Sequence, residues 1–458
     1  MSLTVTGTTA VPYTTELPDM TAPSAPGVGQ APSEPADAAV RTLAEEAFPW
    51  IESVHREPWR VQPEGGLRGD LYLWTHLFRC IHGSPSWTTS VDALKADPVV
   101  GPAAAGQDMY ICLPMGSGGV LQPEVLPFDL IQAAAIELLS CGDDLTLNAL
   151  ADAAVKNLAN LRSGICGRSF DGLVLHSFGG IRLNADGGVS TPWGRLVAAD
   201  RLVRGMWVGE QDSMTAVLAV HEEMTYTTTP PPANPEIWQR HRRIATLISC
   251  AVTLGSLPED PMAAIPLGVG ALLPAGPFGS GGEIRFVGLQ RRSDALTAEE
   301  LAEVEAWARA LDQIDVGHIE IGLARLTRSV GERNDPADSL VDAVIAWENL
   351  VEHSSEATRS VMFGLDALVG TTGRKDRSEA YATRSAIVHG ERIDGEKVRR
   401  MKTTAVATGV SAFRSLLRDH KDKIALSSED RVVALGLELR TEGRCRRCGT
   451  ACASCSST

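Results

Sequence analysis

Apolar positions recur at helical spacing through most of this chain. The first such run opens near Asp37, where Val40, Leu43, Phe48 and Ile51 line one side of a helix. Residues 128–139 and 145–161 predict two more helices, broken at Cys141-Gly142-Asp143-Asp144, with Asp144 as the N-cap of the second. Between 172 and 225 the pattern shortens to apolar runs of strand type. Leu173-Val174-Leu175 and Ile181-Arg182-Leu183 flank Gly179-Gly180, and Ala216-Val217-Leu218-Ala219-Val220 forms a further run. Thr191-Pro192-Trp193-Gly194 reads as a turn, and Pro230-Pro231-Pro232 ends the region. A helix is predicted over 235–254, then a Gly/Pro-rich loop over 268–282. The remainder is helical. Thr297 and Glu300 form a capping box ahead of Leu301, Val304, Ala308 and Leu311, and helices follow over about 337–352, 355–369, 377–389 and 394–417. Short loops between such helices predict an up-and-down bundle.

The fold class expected is therefore α+β, in which a mixed α/β N-terminal domain precedes an all-α helical bundle. Residues 1–37 carry six prolines and no basic residue, a composition that buries too little to order itself and reads as a disordered leader. Residues 38–290 form the α/β part, 297–425 the bundle, and 440–458 a cysteine-rich tail.

Composition narrows the function classes. A net charge of −15 over 458 residues argues against broad non-specific grip on nucleic acid or an acidic membrane, though not against a local basic patch. No stretch reaches the ~20 apolar residues of a membrane span. The first residues lack the basic and apolar segments of a secretory signal, so a cytoplasmic location is expected, with Cys80, Cys112, Cys141, Cys166 and Cys250 as reduced thiols. His76 and His82 flank Cys80 and read as core or interface histidines rather than metal ligands. Gly116-Ser117-Gly118-Gly119 and Gly279-Ser280-Gly281-Gly282 lack the Lys-Ser/Thr of a phosphate-binding loop and read as turns.

One run carries chemistry. Arg384-Ser385-Ala386-Ile387-Val388-His389-Gly390 sets an arginine and a histidine five residues apart at a predicted helix end. Arginine grips phosphate through a planar fork, and histidine moves protons near neutral pH. Five residues turn about 500° around a helix, so the two side chains lie ~140° apart. Gly390 fits a C′ position, which puts His389 at the negative end of the helix dipole, where its protonated form is favoured. Charge shifts here too. Residues 331–370 hold two basic against eight acidic residues, whereas 371–425 hold thirteen against seven. Arg392, Lys397, Arg399, Arg400 and Lys402 follow the motif closely and form a candidate phosphate-binding flank, or else the solvated face of the last helix.

With Asn334-Asp335-Pro336-Ala337-Asp338-Ser339-Leu340 and Ala346-Trp347-Glu348-Asn349-Leu350 upstream, this Arg-x4-His run resembles the HEPN superfamily, and within it the Apea-like branch, over about residues 297–425. The resemblance implies a bundle that pairs with a second copy, so that two Arg-x-His motifs face each other and cleave RNA without metal. Carried over, Arg384 binds the scissile phosphate and His389 takes the proton from the ribose 2′-OH, leaving a 2′,3′-cyclic phosphate. Glu348 joins Arg384 and His389 in the expected catalytic set. The N-terminal domain is then a sensor of an unknown ligand or protein, and defence against phage or a stress response fits. Ser385 departs from the family, where the residue after the arginine is often Asn, Asp or His. The alternative is a non-catalytic interaction module, in which Arg384 pairs with Glu348 inside the bundle and His389 caps a helix end.

The tail, Cys445-Arg446-Arg447-Cys448-Gly449-Thr450-Ala451-Cys452-Ala453-Ser454-Cys455, allows two readings. The thiolates of Cys445, Cys448, Cys452 and Cys455 can surround one structural zinc, which would be the only cofactor since catalysis itself needs none. The inner gap of three residues is short for a zinc ribbon, so a flexible tail of free thiols is the other reading. A tail that binds a partner through zinc is a third functional possibility beside the nuclease and the module.

Overall fold

A computed structural model describes residues 34–56, 71–105, 121–184, 187–205, 214–226, 235–274, 276–278 and 294–438. The expected leader and the four tail cysteines lie outside these residues, except that the first helix already begins at Glu34. The chain is α+β.

The helices α1 (Glu34–Arg56), α2 (Leu71–His82), α3 (Trp87–Ala96), α4 (Val100–Ala105), α5 (Leu126–Cys141) and α6 (Leu147–Ile165) come first. In α1, Val40, Leu43, Ala44, Ala47 and Ile51 are fully buried at i, i+3, i+4 spacing, as the apolar pattern requires. Gly142, at φ 72°, ends α5 in the left-handed region. The cap of α6 is Thr146, whose hydroxyl accepts from Ala149 N at 3.2 Å, and not Asp144. The two caps compete within one turn, and the hydroxyl wins because the helix starts two residues later than expected.

An antiparallel sheet follows, made of β1 (Phe170–Gly179), β2 (Gly188–Thr191), β3 (Gly194–Ala198), β4 (Ala216–Met224), β5 (Ile265–Leu273) and β6 (Gly276–Phe278), in the order β2-β3-β4-β1-β5-β6. The short helix α7 (Arg201–Arg204) and the long helix α8 (Pro235–Gly255) interrupt it. Thr191-Pro192-Trp193-Gly194 closes the β2–β3 hairpin, as its turn chemistry predicts.

Two strand expectations need correction. Ile181-Arg182-Leu183 is not a strand. Gly180, at φ 80°, turns the chain off the sheet against Ala263, where a Cβ would lie 2.8 Å from the carbonyl oxygen. Ile181 and Leu183 are instead buried in the core of the later helices, and the Arg182 carbonyl accepts from Leu296 N at 3.0 Å. Conversely, the expected loop over 268–282 contains most of β5 and all of β6. Gly268 and Gly270 lie in β5, opposite Ser177 and Leu175 of β1, where ladder pairing overrides their preference for turns.

The sheet has helices on both faces. Val217 and Ala219 share a core with α1–α6, while Ala216, Leu218 and Val220 share a second core with α8 and the helices after it. That second core takes in α9 (Ala298–Gln313), α10 (Glu320–Gly331), α11 (Pro336–Val351), α12 (Ala357–Val369), α13 (Arg374–Val388), α14 (Gly395–Asp419) and α15 (Ser428–Ala434). The core is thus continuous across residue 290, because α8 packs on the sheet and on α9, α10 and α14. The Thr297–Glu300 capping box forms as predicted. The α10 helix is an addition to the expected elements. It packs through glycine: a Cβ on Gly322 would meet Asn349 Oδ1 at 2.5 Å and Phe413 at 2.8 Å.

Candidate active site

Among these helices α11 is central, touching α10, α12, α13, α14 and α15. Asp335 caps it by accepting from Ala337 N at 2.9 Å, and Pro336 occupies its first turn. Trp347 is fully buried and donates to Ala405 O at 3.1 Å, which fixes the rotation of the helix. The next residue, Glu348, then points to the edge of the core toward α13.

The α13 helix buries only Arg377, Ala380 and Thr383. Tyr381 and Arg384, spaced i, i+3, flank that buried line and both reach Glu348. Tyr381 Oη donates to Glu348 Oε1 at 3.1 Å, and Arg384 Nη2 donates to Glu348 Oε2 at 3.0 Å. The side chains of Arg384 and Glu348 are 22% and 14% exposed, so the pair is mostly buried with an edge open to water. Burial pushes the Glu348 carboxyl up from its ordinary value against the opposing pull of Arg384. Burial, then Glu348, pushes the Tyr381 phenol up to about 12, so it stays a donor across the working pH range. The buried Arg384 Nε makes no hydrogen bond among the described residues.

His389 is the C-cap of α13 and is exposed. Its position is fixed by a Schellman closure in which Gly390, at φ 79°, donates to Ile387 O at 2.9 Å and Glu391 N donates to Ala386 O at 3.0 Å. The helix end at His389–Gly390 is where the sequence put it. Among the described residues the imidazole makes no hydrogen bond.

Of the expected catalytic set, Glu348 and Arg384 come together and His389 stands apart at the helix end. Tyr381 belongs with them and was not singled out. Its signal was present, since a tyrosine three residues before an arginine shares its helix face.

The basic flank is largely neutralised. Lys397 Nζ lies 3.2 Å and Arg400 Nη2 3.4 Å from the same oxygen of Glu379 on α13. Arg399 pairs with Glu396 at 2.5 Å, and Arg392 is exposed. Lys402 leaves this group. It is half-buried on another side of α14, in the wall of a cavity.

Cys80 Sγ lies 3.6 Å from His76 Nε2, while His82 is exposed against the rings of Phe78 and Trp87 rather than in the core. Among the described residues no three His, Cys, Asp or Glu side chains gather to hold an ion. Cys80, Cys141, Cys166 and Cys250 are free thiols.

Two buried groups were not anticipated. His176 Nε2 and His241 Nδ1 face each other at 3.0 Å between β1 and α8, with Glu222 3.6 Å from His241 Nε2. Arg431 of α15 is fully buried, and no carboxylate among the described residues pairs with it. It donates instead to the carbonyls of Lys423, Asn349, Leu350, Ile424 and Leu426 at 2.5–3.2 Å.

Comparison with known proteins returns no matching family model, no matching characterised protein and no matching solved structure.

Proposed function

We propose that this protein is a metal-independent endoribonuclease that works as a pair of copies, with an HEPN-type bundle formed by α9–α15. The observation that carries the reading is the half-buried Arg384, aimed by Glu348 from α11 and five residues before an exposed histidine at a fixed helix end. Glu348 uses a single donor of the guanidinium, which leaves others for a phosphate. In the reaction, His389 of one copy accepts the ribose 2′-OH proton, and the 2′-oxygen attacks phosphorus. The 5′-oxygen leaves with a proton from water, giving a 2′,3′-cyclic phosphate and a free 5′-OH. Arg384 neutralises the charge that builds on the non-bridging oxygens. Val388, at 57% exposure beside His389, supplies apolar surface for the second copy.

The test is RNA cleavage with EDTA present. The wild type is expected to cut, with cyclic-phosphate ends, and Arg384→Ala and His389→Ala each to lose roughly 100-fold or more. Equal activity in all three proteins, or none in the wild type across varied RNAs, would sink the reading.

One observation favours a second reading. The Arg384–Glu348 ion pair is what a purely structural arginine would make, and Glu379 masks Lys397 and Arg400. On that reading the bundle is an interaction module that cleaves no RNA, and Arg384→Ala lowers stability by breaking the pair with Glu348.

A further inference from the structure

The edge that carries Glu348 holds a second carboxylate. Glu352 is the C-cap of α11, four residues after Glu348, so it lies one turn further along and about 40° around the same face. Val341, Ile345, Glu348 and Glu352 make one partly exposed strip on that face. Tyr381 and Arg384 border the strip from α13. Behind burial, the Glu352 charge is among the causes that push the Glu348 carboxyl and the Tyr381 phenol up, so it lies within electrostatic reach of both.

Glu352 stands against local preference on three counts. A negative charge at a helix C-terminus opposes the helix dipole. Like charges at i, i+4 repel, and Glu348 is that neighbour. The Glu352 carboxylate also makes no ion pair or hydrogen bond among the described residues, since Arg384 bonds Glu348 instead. Residues that break local rules in this way concentrate at functional sites. A ligand that donates hydrogen bonds to the carboxylate offsets all three costs.

The chemistry of that ligand follows from the edge. RNA on the proposed nuclease sets one phosphate on Arg384, and a second phosphate would meet the Glu352 charge. A base offers donors without charge, and in a single strand its Watson–Crick edge is free. An ionised carboxylate has two acceptor oxygens and no donor. Guanine alone among the four bases shows two adjacent donors on that edge, N1–H and the N2 amino group, which meet both oxygens at once. Adenine, cytosine and uracil each set one donor beside acceptors, which a carboxylate repels.

We propose that Glu352 is a specificity-determining residue, accepting from N1–H and the N2 amino group of a guanine next to the phosphate held by Arg384 in single-stranded RNA. The nuclease reading supplies the class of ligand, and the two are tested apart.

The probes are four short single-stranded RNAs that differ in one central base, with 2′-fluoro sugars in place of the attacking hydroxyl. By fluorescence anisotropy with the full chain, the guanine RNA should bind roughly tenfold or more tightly than the other three. Inosine, which keeps N1–H and lacks the amino group, should fall between guanine and adenine. Glu352→Gln should bring guanine to the level of the other bases. It should also melt no lower than the wild type, because it relieves the repulsion from Glu348. Asp338→Asn, which removes an exposed carboxylate near the start of α11, should keep the guanine preference. Equal affinity for all four bases overturns the proposal, as does a guanine preference that Glu352→Gln leaves intact. No binding to any of the four overturns it together with the nuclease. The matching 2′-hydroxyl RNAs, assayed for cleavage with EDTA, decide the nuclease separately. A guanine preference in binding with none of them cut would sink the nuclease and uphold the Glu352 contact.

Discussion

Glu348 takes one hydrogen bond on each carboxylate oxygen, and its two donors differ in what their removal leaves behind. Tyr381→Phe removes a neutral donor, so the Arg384 contact survives. The expected cost is about 1 kcal/mol by chemical denaturation, with RNA cleavage reduced far less than in Arg384→Ala. Arg431 is the opposite case. Five backbone carbonyls depend on one buried guanidinium, so Arg431→Met should cost roughly 3–5 kcal/mol while leaving the geometry around Arg384 alone. A denaturation midpoint close to wild type would show that water replaces the guanidinium. At this scale the sequence was informative where side-chain type and spacing suffice. The Thr297–Glu300 box and the His389–Gly390 helix end are local patterns. The five partners of Arg431 come from two separate segments, the end of α11 and residues 423–426, that only folding brings together.

The packing of α8 on the sheet carries a titration that should be visible in stability. Burial is the main cause that holds His176 down to about 3 and His241 to about 4, with mutual repulsion adding for His176 and Arg240 for His241. Both histidines are neutral in the folded chain near pH 7. On acidification below about pH 6.5 the unfolded chain takes up protons that the folded chain refuses, so stability should fall between pH 6.5 and about 4. His55 works with the opposite sign. Asp200, 3.0 Å away, raises its value through their hydrogen bond, so its contribution is full below pH 6.5 and is lost as pH rises through the raised value. Unfolding free energies of the wild type and His176→Gln across pH 4–7 check the first effect. The variant should lose stability less steeply on acidification, and parallel curves would contradict the assignment. Element type was legible where one face alone is apolar, as in α1, α9, α11 and α14. It was not legible in β5, where Gly268 and Gly270 imitate a loop. In α10, Leu323 and Leu326 are the buried apolar residues, and Gly322 and Gly331 add close backbone approach that no apolar pattern announces.

On the scale of the whole molecule, the second core ignores the division between sheet and bundle that composition suggested. Ile244, Leu247 and Ile248 of α8 lie in one buried cluster with Trp307, Trp347 and Phe413. A fragment of residues 294–438 would expose the faces of α9, α10 and α14 that α8 covers. It should melt broadly or aggregate, whereas a fragment that begins at residue 235 retains that cover and should melt more cooperatively. Equal cooperativity in the two fragments would restore the boundary at 290. The acidic net charge of −15 agrees with a basic flank already paired to Glu379 and Glu396, so the proposed RNA contact would centre on Arg384 and His389 rather than on a wide cationic surface. That demand makes the second copy essential to the account, because the two residues lie ~140° apart around one helix. Mixing Arg384→Ala protein with His389→Ala protein, under conditions of subunit exchange, tests this most directly. If each site takes its arginine from one copy and its histidine from the other, the mixture regains about a quarter of the wild-type cleavage rate, since half the pairs are mixed and each mixed pair holds one intact site. A mixture as inactive as either variant alone would contradict a site shared between two copies.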